Sequence, residues 1–207
     1  MSVQLVCLDL EGVLVPEIWI EFADAVGVPE LRRTTRDEPD YDKLMRYRLE
    51  LLHQHGLGLP RIQEVIGRLS PLPGALEFMS WLRARFQVII LSDTYYEFAL
   101  PLMAKIGYPT LFCHQLEADD EGNLVNYRLR LPNQKKEAVR RFRELNFKVI
   151  AVGDSYNDTA MLAEADVGIL FHAPENVMCE FPQFRVTNTY DELQAAISEA
   201  AASLAKV

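Results

Sequence analysis

The feature that most constrains the fold of this 207-residue chain is a set of four short apolar runs separated by helical patterns. The runs are rich in Val, Ile and Leu, as strands buried on both faces are, and they cover residues 4–8, 87–91, 148–152 and 167–171. Strands that alternate with helices predict a parallel sheet covered by helices on both faces. The sequence therefore predicts an α/β protein with a Rossmann-like parallel sheet.

Two segments interrupt this alternation. The stretch between the first run and Pro73 has helical patterning without a strand pattern, and it is too long for an ordinary connection. We interpret it as a helical cap inserted after the first strand, at residues 15–72, on a core formed by residues 1–14 and 73–207. Residues 113–131 alternate around an Asp-Asp-Glu-Gly-Asn turn, which predicts a small β-hairpin.

Local signals indicate where several helices begin. Pro73-Gly74 precedes apolar residues at helical spacing, and helical patterns also cover residues 134–145 and 158–165. Thr94 and Glu97 form a predicted capping box directly after the second strand. We therefore expect the next helix to start at about Thr94.

The composition excludes several classes of protein. With 21 Lys and Arg against 30 Asp and Glu, the net charge is −9, so neither nucleic acid nor an anionic membrane surface is an expected partner. No apolar run approaches the roughly 18 residues of a transmembrane helix, and the amino-terminal residues lack the basic region of a signal peptide. The three cysteines lack a Cys-x-x-Cys motif and do not predict disulfides or structural zinc. We expect a cytoplasmic globular protein of undetermined oligomeric state.

Two carboxylates follow the first predicted strand. Asp9 and Glu11 lie at the kind of sheet edge where open α/β sheets bind their ligands. A nucleophilic carboxylate beside a second one that can hold a proton suits phosphoryl transfer through an aspartyl-phosphate. The alternative is a pair of solvated acids at a strand end.

A second acidic motif, Gly-Asp-Ser-Tyr-Asn-Asp, follows the third strand and contains Asp154 and Asp158. Mg²⁺ takes oxygen ligands and usually binds one or two carboxylates together with phosphate and water. The alternative is a helix cap, because Ser155 and Asp158 fit the Ser-x-x-Asp pattern. Such a cap accounts for Asp158 but not for the Gly-Asp step before it.

A hydroxyl and a lysine stand near the same predicted edge. Ser92 ends the second strand before a helix start, where free backbone N–H groups can bind an anion; a turn serine is the alternative. Lys135 begins the helix that precedes the third strand and could neutralise a phosphoryl group. The alternative is a solvated surface lysine, and the adjacent Lys136 competes for the same role.

In their order along the chain, these motifs resemble those of the haloacid dehalogenase-like phosphatase superfamily. The four corresponding stretches are DLEGV, LSD, Lys135 and GDSYND, and the resemblance spans nearly the whole chain. Within the superfamily the chain resembles the phosphoserine phosphatases, since DYDKLMRYRLELL, GRLSPLPGA and SDTYYEF fit that branch. The opening DLEGVLVPEIW is similar to that of bacterial members that are also phosphoserine–homoserine phosphotransferases.

The resemblance implies roles for the acidic residues. Asp9 corresponds to the nucleophile that becomes aspartyl-phosphate, and Glu11 stands where the general acid/base belongs. The implied Mg²⁺ ligands are the Asp9 carboxylate, the Glu11 backbone carbonyl and Asp154. Asp158 would hold a metal-bound water or orient Lys135.

The resemblance also implies a substrate site. Ser92 and Lys135 would bind the phosphoryl oxygens, with Asn157 close enough to help. Glu17 and Arg48 stand where the family's cap grips the amino and carboxylate groups of a serine-like substrate. Their charges suit an ammonium and a carboxylate respectively.

Two positions depart from the family pattern, and one assigned residue has a competing candidate. The family's usual second acid is Asp, whereas here it is the longer Glu11. Asp93 stands where the family usually has a glycine, directly after the serine of the second motif. Its backbone N–H can still donate to phosphate, whereas its carboxylate should be paired or turned away. The alternative interpretation of Arg48 is a solvated residue on a helix face, and Arg46 is a competing candidate for the same role.

The expected activity is Mg²⁺-dependent hydrolysis of O-phospho-L-serine, with transfer of the phosphoryl group to homoserine kept open by the two departures from the family pattern. The alternatives are a superfamily phosphatase for another small phosphorylated metabolite, and a non-enzymatic phospho-receiver domain. The predicted cap and the GDSYND motif argue against a receiver domain.

Overall fold

The computed structural model describes residues 3–35, 37–38 and 40–206. The strands are β1 Gln4–Leu8, β2 Gln87–Tyr95, β3 Thr110–Ala118, β4 Leu124–Arg128, β5 Lys148–Gly153, β6 Val167–Phe171 and β7 Arg185–Thr187. The helices are α1 Ile18–Val26, α2 Tyr41–Gln54, α3 Leu59–Ile66, α4 Ala75–Arg83, α5 Tyr96–Lys105, α6 Gln134–Glu144, α7 Thr159–Glu164, α8 Glu175–Glu180 and α9 Tyr190–Leu204. Short 3-10 helices lie at Pro29–Arg32 and Tyr156–Asp158.

The strands form one sheet in the order β4-β3-β2-β1-β5-β6-β7. Every neighbouring pair is parallel except β3 and β4, which form the antiparallel hairpin. The α/β fold and the hairpin predicted from the sequence are therefore confirmed. β7, α8 and α9 were not predicted; β7 in particular has only three residues, too few for a recognisable periodicity.

The register of the central strands brings three chain segments to one edge. Leu8 of β1 pairs with Ile90 of β2 and with Val152 of β5. Since the three strands are parallel and level, the residues that follow them emerge at the same carboxyl edge, as expected for a ligand site in an open sheet.

The predicted capping box of Thr94 and Glu97 is wrong. β2 continues through Thr94, and α5 begins at Tyr96 without a side-chain cap. The Glu97 carboxylate instead accepts a hydrogen bond of 2.8 Å from the Leu116 N–H of β3. Pairing with β3 thus overrides the local cap signal.

β2 is irregular where it reaches the sheet edge. Leu91 pairs with Phe112 and Tyr95 with His114, so four residue steps on β2 lie opposite two steps on β3. The two extra residues make a bulge at residues 92–94. Bulges re-aim side chains and recur beside active sites.

The helices α1 to α3 lie in the predicted cap, residues 15–72, and α2 and α3 contact the hairpin. The Tyr127 hydroxyl of β4 donates to Asp42 at 2.7 Å, and the Leu59 N–H donates to the Gly122 carbonyl at 2.8 Å. The Tyr41 and Tyr95 hydroxyls lie 2.7 Å apart, which joins α2 to the end of β2. The division into core and cap stays a prediction, and these contacts place α2 beside the edge where the central strands end.

None of the helices in the described ranges is long and apolar enough to cross a membrane.

Candidate active site

Asp9 is held by one of its two carboxylate oxygens. Oδ1 accepts a 2.7 Å hydrogen bond from the Leu10 N–H and lies 3.0 Å from Lys135 Nζ. Oδ2 has no hydrogen-bond partner among the described residues. An anchored carboxylate with one free oxygen is oriented for attack or for binding a cation.

Lys135 lies at the centre of a group of buried acids. It is 3% exposed, and its ammonium lies 2.8 Å from Asp158, 3.0 Å from Asp9 and 3.6 Å from Asp93. Burial alone lowers the pKa of Lys135, but the three carboxylates outweigh it and hold that pKa well above its usual value. Lys136 is exposed, so Lys135 is the lysine that the fold brings to the acidic cluster.

Asp158 is positioned by the turn after β5. Its Oδ2 accepts from the N–H groups of Asp154 at 3.0 Å and Ser155 at 3.2 Å, and its Oδ1 accepts from Lys135. Both oxygens are therefore engaged within the protein. Asp158 therefore accepts hydrogen bonds as a capping residue, which was the alternative interpretation, and also contacts Lys135, which the resemblance expects it to orient.

Asp154 approaches the loop after β1. A side chain at Gly12 would place its Cβ 2.3 Å from Asp154 Oδ2, and Gly12 has a φ of +75°. Only glycine meets both conditions without strain. One ligand atom from each of Asp9, Asp154 and Asp158 lies within 4.8 Å of the others, which is close enough to share one cation.

The electrostatics of this cluster fit a bound cation. Burial, followed by the charges of Asp158 and Asp154, raises the pKa of Asp9 well above its usual value, although Lys135 opposes the shift. Burial, then the neighbouring charges of Asp158 and Glu17, raises the pKa of Asp154 to about 7. Carboxylate oxygens that repel one another are the donor set that a hard divalent cation stabilises.

Glu11 carries a pKa suited to proton transfer near neutrality. Burial and the charge of Glu17 raise the pKa of Glu11 to about 7, while hydrogen bonds from the Ile18 N–H and Thr94 and the charge of Lys135 oppose the rise. The Ile18 N–H donates to Oε2 at 2.8 Å. A carboxyl group that is half protonated near pH 7 can act as both acid and base.

The bulge of β2 carries Ser92 and Asp93 into the site. Ser92 is buried, and its hydroxyl accepts a 3.3 Å hydrogen bond from the Thr94 N–H. The Asp93 carboxylate accepts from Gln134 at 3.1 Å and from Asn157 at 3.2 Å. The expectation that a carboxylate beside a phosphate site should be paired therefore fits the geometry of Asp93.

His114 also pairs with Asp93, at 3.6 Å between Nε2 and Oδ1. Burial raises the pKa of Asp93, but Lys135 and the hydrogen bonds from His114, Gln134 and Asn157 hold it well below its usual value. Asp93 is thus an ionised carboxylate that links Lys135, Asn157 and the hairpin.

Arg48 is a buried cation without a carboxylate partner in the described part of the chain. It is 5% exposed, donates from Nη2 to the Arg33 carbonyl at 2.5 Å and lies 4.2 Å above the Trp19 ring, while its Nε makes no hydrogen bond to any described residue. Burial lowers the pKa of Arg48. Arg46, by contrast, is exposed and bonds to Asp42 at 2.7 Å. Arg48 is therefore the arginine of α2 that faces the protein interior.

Glu17 is an exposed carboxylate near the site. It immediately precedes α1, its side chain is exposed, and none of the described residues bonds to its carboxylate. Its charge acts on Glu11, Asp154 and Arg48. It is a free anion near the acidic cluster and the buried guanidinium.

Three residues of this site were missed in the sequence. His114 accepts at Nδ1 from the Arg130 N–H at 3.1 Å, so its Nε2 is directed to Asp93, and Gln134 bonds to the Ser92 carbonyl. Tyr41 bonds to Tyr95 next to Arg48. No local motif marks them, because their roles depend on the hairpin and the cap packing against distant strands.

Comparison with known proteins identifies the family. The haloacid dehalogenase-like hydrolase family matches residues 3–166. Phosphoserine phosphatase ThrH of Pseudomonas aeruginosa is 60% identical over 191 residues, covering 92% of this chain and 93% of that protein. A phosphoserine phosphatase of Pseudomonas syringae pv. tomato is 59% identical over 193 residues, covering 93% of this chain and 81% of that protein.

The fold is shared with solved structures at lower identity. A substrate-bound phosphoserine phosphatase complex aligns with a TM-score of 0.76 and 21% identity, covering 96% of this chain and 99% of that chain. A phospho-aspartyl intermediate analogue of phosphoserine phosphatase aligns with a TM-score of 0.75 over the same shares. The family match and the 60% identity show that the chain belongs to the haloacid dehalogenase-like hydrolases, in their phosphoserine phosphatase branch.

Proposed function

We propose that this protein is a Mg²⁺-dependent phosphoserine phosphatase that works through an aspartyl-phosphate at Asp9. The observation that carries the substrate assignment is Arg48, a buried guanidinium within the electrostatic reach of Glu11 and Glu17 that has no carboxylate hydrogen-bond partner among the described residues. A buried cation of this kind is stabilised by a ligand carboxylate held in a fork of hydrogen bonds. The free Glu17 carboxylate complements the ammonium of the same ligand.

The Mg²⁺ ion would be held by the Asp9 carboxylate, Asp154 and the Glu11 backbone carbonyl. Support comes from the mutual proximity of the carboxylates and the raised pKa of Asp9 and Asp154. When bound, the ion neutralises charge on the phosphoryl group and on the carboxylates around it. Asp158, with both oxygens engaged, acts as the residue that orients Lys135.

In the first half of the reaction, the free oxygen of Asp9 attacks phosphorus. The bond from phosphorus to the seryl oxygen breaks, and Glu11 gives its proton to that oxygen, so that serine leaves as a neutral alcohol. Lys135 and the Ser92 hydroxyl stabilise the charge of the phosphoryl oxygens during transfer.

In the second half, water attacks the phosphorus of the aspartyl-phosphate. Glu11, now ionised, takes a proton from the water as the new oxygen–phosphorus bond forms, and the acyl-phosphate bond breaks to regenerate Asp9. Phosphate is released and the carboxyl of Glu11 is again protonated. A pKa of about 7 for Glu11 suits both halves of this cycle.

We also propose homoserine as a second acceptor at the same site. It carries the ammonium and carboxylate of serine on a chain one methylene longer, so Glu17 and Arg48 can hold it after serine has left. Its hydroxyl would replace water as the nucleophile and give its proton to Glu11. The products would be phosphohomoserine and free Asp9.

The test is turnover of O-phospho-L-serine by the purified protein with Mg²⁺, following phosphate, phosphohomoserine and serine together, with and without homoserine. Phosphoethanolamine is the matched control, because it keeps the ammonium and lacks the carboxylate. We expect many turnovers on phosphoserine and a much lower kcat/KM on phosphoethanolamine. Equal kcat/KM values would contradict the substrate assignment, and a single phosphorylation without release of phosphate would indicate a receiver domain instead.

A further inference from the structure

Trp19 is a buried aromatic residue beside the candidate substrate arginine. It ends the stretch DLEGVLVPEIW and is the second residue of α1, two positions after Glu17. Trp19 is 8% exposed, and its ring centroid lies 4.9 Å from that of Phe98 on α5 and 6.4 Å from that of Phe22 on α1. The ring is therefore packed between the first helix of the predicted cap and the helix that follows β2.

The Arg48 guanidinium lies over this ring, with its central carbon 4.2 Å from the ring centroid. Nη2 donates to the Arg33 carbonyl at 2.5 Å, and Nη1 donates to the Met45 sulfur at 3.9 Å. Nε has no partner among the described residues. The guanidinium is thus held by an aromatic face and by two uncharged acceptors.

Uncharged supports leave the positive charge of Arg48 available to a ligand. A protein carboxylate would cancel that charge and occupy the fork of donors. An aromatic ring instead attracts the cation through the negative face of its π-system, and it contacts the flat guanidinium on a face rather than at its N–H edge. Trp19 can therefore stabilise the buried cation in the free protein without competing with a ligand carboxylate for the N–H donors.

Arg48 differs from the other arginines that lie over aromatic rings. It is the only buried one of four such arginines in the described ranges; the exposed ones are Arg33, Arg85 and Arg130. A cation–π contact contributes most where the cation is desolvated. The other tryptophan of the chain, Trp81 on α4, has the exposed Arg85 at 5.1 Å from its ring and so offers a matched comparison.

We propose that Trp19 is a positioning residue that determines substrate specificity: its ring holds the Arg48 guanidinium in the orientation in which the free N–H donors receive the substrate carboxylate. This rests on the proposed function, in which Arg48 binds the carboxylate of O-phospho-L-serine. Trp19 acts through Arg48, and no bond forms or breaks on it. Loss of the ring should therefore weaken the binding of ligands that carry a carboxylate and leave the chemical step nearly unchanged.

The experiment compares Trp19→Leu, which removes the aromatic face and keeps an apolar side chain, with Trp19→Phe, which keeps a smaller aromatic face. Steady-state rates are measured with Mg²⁺ on O-phospho-L-serine and on phosphoethanolamine, which lacks the carboxylate. On phosphoserine we expect Trp19→Leu to raise KM about 5- to 30-fold, the range for one desolvated cation–π contact, with kcat changed less than about 3-fold. Trp19→Phe should recover most of this loss, and KM on phosphoethanolamine should change less than about 2-fold.

Trp81→Leu is the matched control, because Trp81 also has an arginine over its ring and packs on Phe78, at 6.2 Å between ring centroids, but lies outside the predicted cap. Loss of a packed ring should lower the melting temperature without separating the two substrates. If Trp19→Leu does not fold, as judged by circular dichroism, Trp19→Met takes its place.

Binding without turnover is measured by calorimetry in an Asp9→Asn background. There Trp19→Leu should weaken the binding of O-phospho-L-serine by the same factor as it raises KM and leave the binding of phosphoethanolamine nearly unchanged. When Arg48→Ala is added, Trp19→Leu should cause no further loss, since the group that the ring holds is gone.

Equal losses on the two ligands, failure of Trp19→Phe to recover the loss, or a full additional loss in the Arg48→Ala background would each overturn the proposal. A protein that binds phosphoserine with the expected dependence on Trp19, but whose wild type does not hydrolyse it, would overturn the proposed function and support the role of Trp19.

Discussion

Arg46 and Arg48 lie two positions apart on α2, and their surroundings differ in every respect that matters for binding. Arg46 is exposed and paired with Asp42, while Arg48 is buried against Trp19 and has no carboxylate partner among the described residues. A buried unpaired charge is costly for the free protein, so a ligand that supplies the missing anion gains affinity from it. This contrast makes the two residues a matched pair for experiment.

Arg48→Ala should lower kcat/KM on O-phospho-L-serine by about 30-fold or more, because truncating one partner of a desolvated charge pair costs about 2–5 kcal/mol. The loss on p-nitrophenyl phosphate, which lacks a carboxylate, should be much smaller. Arg46→Ala should leave both substrates nearly unchanged, since exposed ion pairs contribute about 0–1 kcal/mol. Equal losses on the two substrates in Arg48→Ala would mean that Arg48 has a structural role only.

At the scale of the elements, the loop after β1 depends on a single glycine. Gly12 and Gly27 both have positive φ, +75° and +71°. An added Cβ at Gly12 would meet Asp154 Oδ2 at 2.3 Å, whereas at Gly27 it would have no atom of the described residues within 4 Å. The backbone strain of an alanine is therefore common to both positions. Only an alanine at position 12 would also displace Asp154, a predicted metal ligand.

Gly12→Ala should weaken Mg²⁺ binding and lower kcat by about 100-fold, the scale expected when a catalytic group is misplaced by about 1 Å. Gly27→Ala should show only a small loss in melting temperature, of the size caused by alanine in a left-handed conformation. The measurements are the Mg²⁺ dependence of turnover and the thermal unfolding of both variants. If Gly27→Ala impairs Mg²⁺ dependence as much as Gly12→Ala, strain rather than Asp154 is responsible.

The parallel core could be predicted because its strands are continuous apolar runs, and β1 and β6 were predicted with their observed bounds. The bulge at residues 92–94 could not, since it arises from the register between β2 and β3, which are distant in sequence. The same cause explains the wrong capping box at Thr94. The order of the motifs along the chain predicted that Asp9 and Asp154 lie at one edge of the sheet. The contacts of Asp93 with the hairpin could not be predicted, because they depend on the three-dimensional packing.

At the scale of the whole molecule, the acidic cluster makes folding depend on pH and on cations. The pKa values of Glu11 and Asp154 are both raised to about 7 in the fold by burial and neighbouring carboxylates. A carboxyl group with a raised pKa binds a proton in the folded state at pH values where the unfolded chain has lost it. The free energy of unfolding therefore falls as pH rises from about 4 towards about 7.

The metal-free protein should accordingly melt at a lower temperature at pH 7.5 than at pH 5.5, and Mg²⁺ should raise the melting temperature most at the higher pH. Each kcal/mol of stability changes the melting temperature by about 2–4 °C in a chain of this size. Asp154→Asn should flatten the pH dependence and reduce the effect of Mg²⁺, with KCl at equal ionic strength as the control. A metal-free melting temperature that rises between pH 5.5 and 7.5 would contradict this account of the cluster.

The central claim is that Asp9 carries the phosphoryl group during turnover, and rapid-quench labelling tests it most directly. The protein is mixed with O-phospho-L-serine labelled in the phosphoryl group, quenched in acid within one turnover, and mapped by peptide mass spectrometry. In the wild type we expect the label on Asp9, formed and lost at rates no slower than kcat. The Asp9→Asn variant should fold, take up no label and keep less than about a thousandth of the activity. Label on a different residue, or undiminished turnover in Asp9→Asn, would contradict the mechanism.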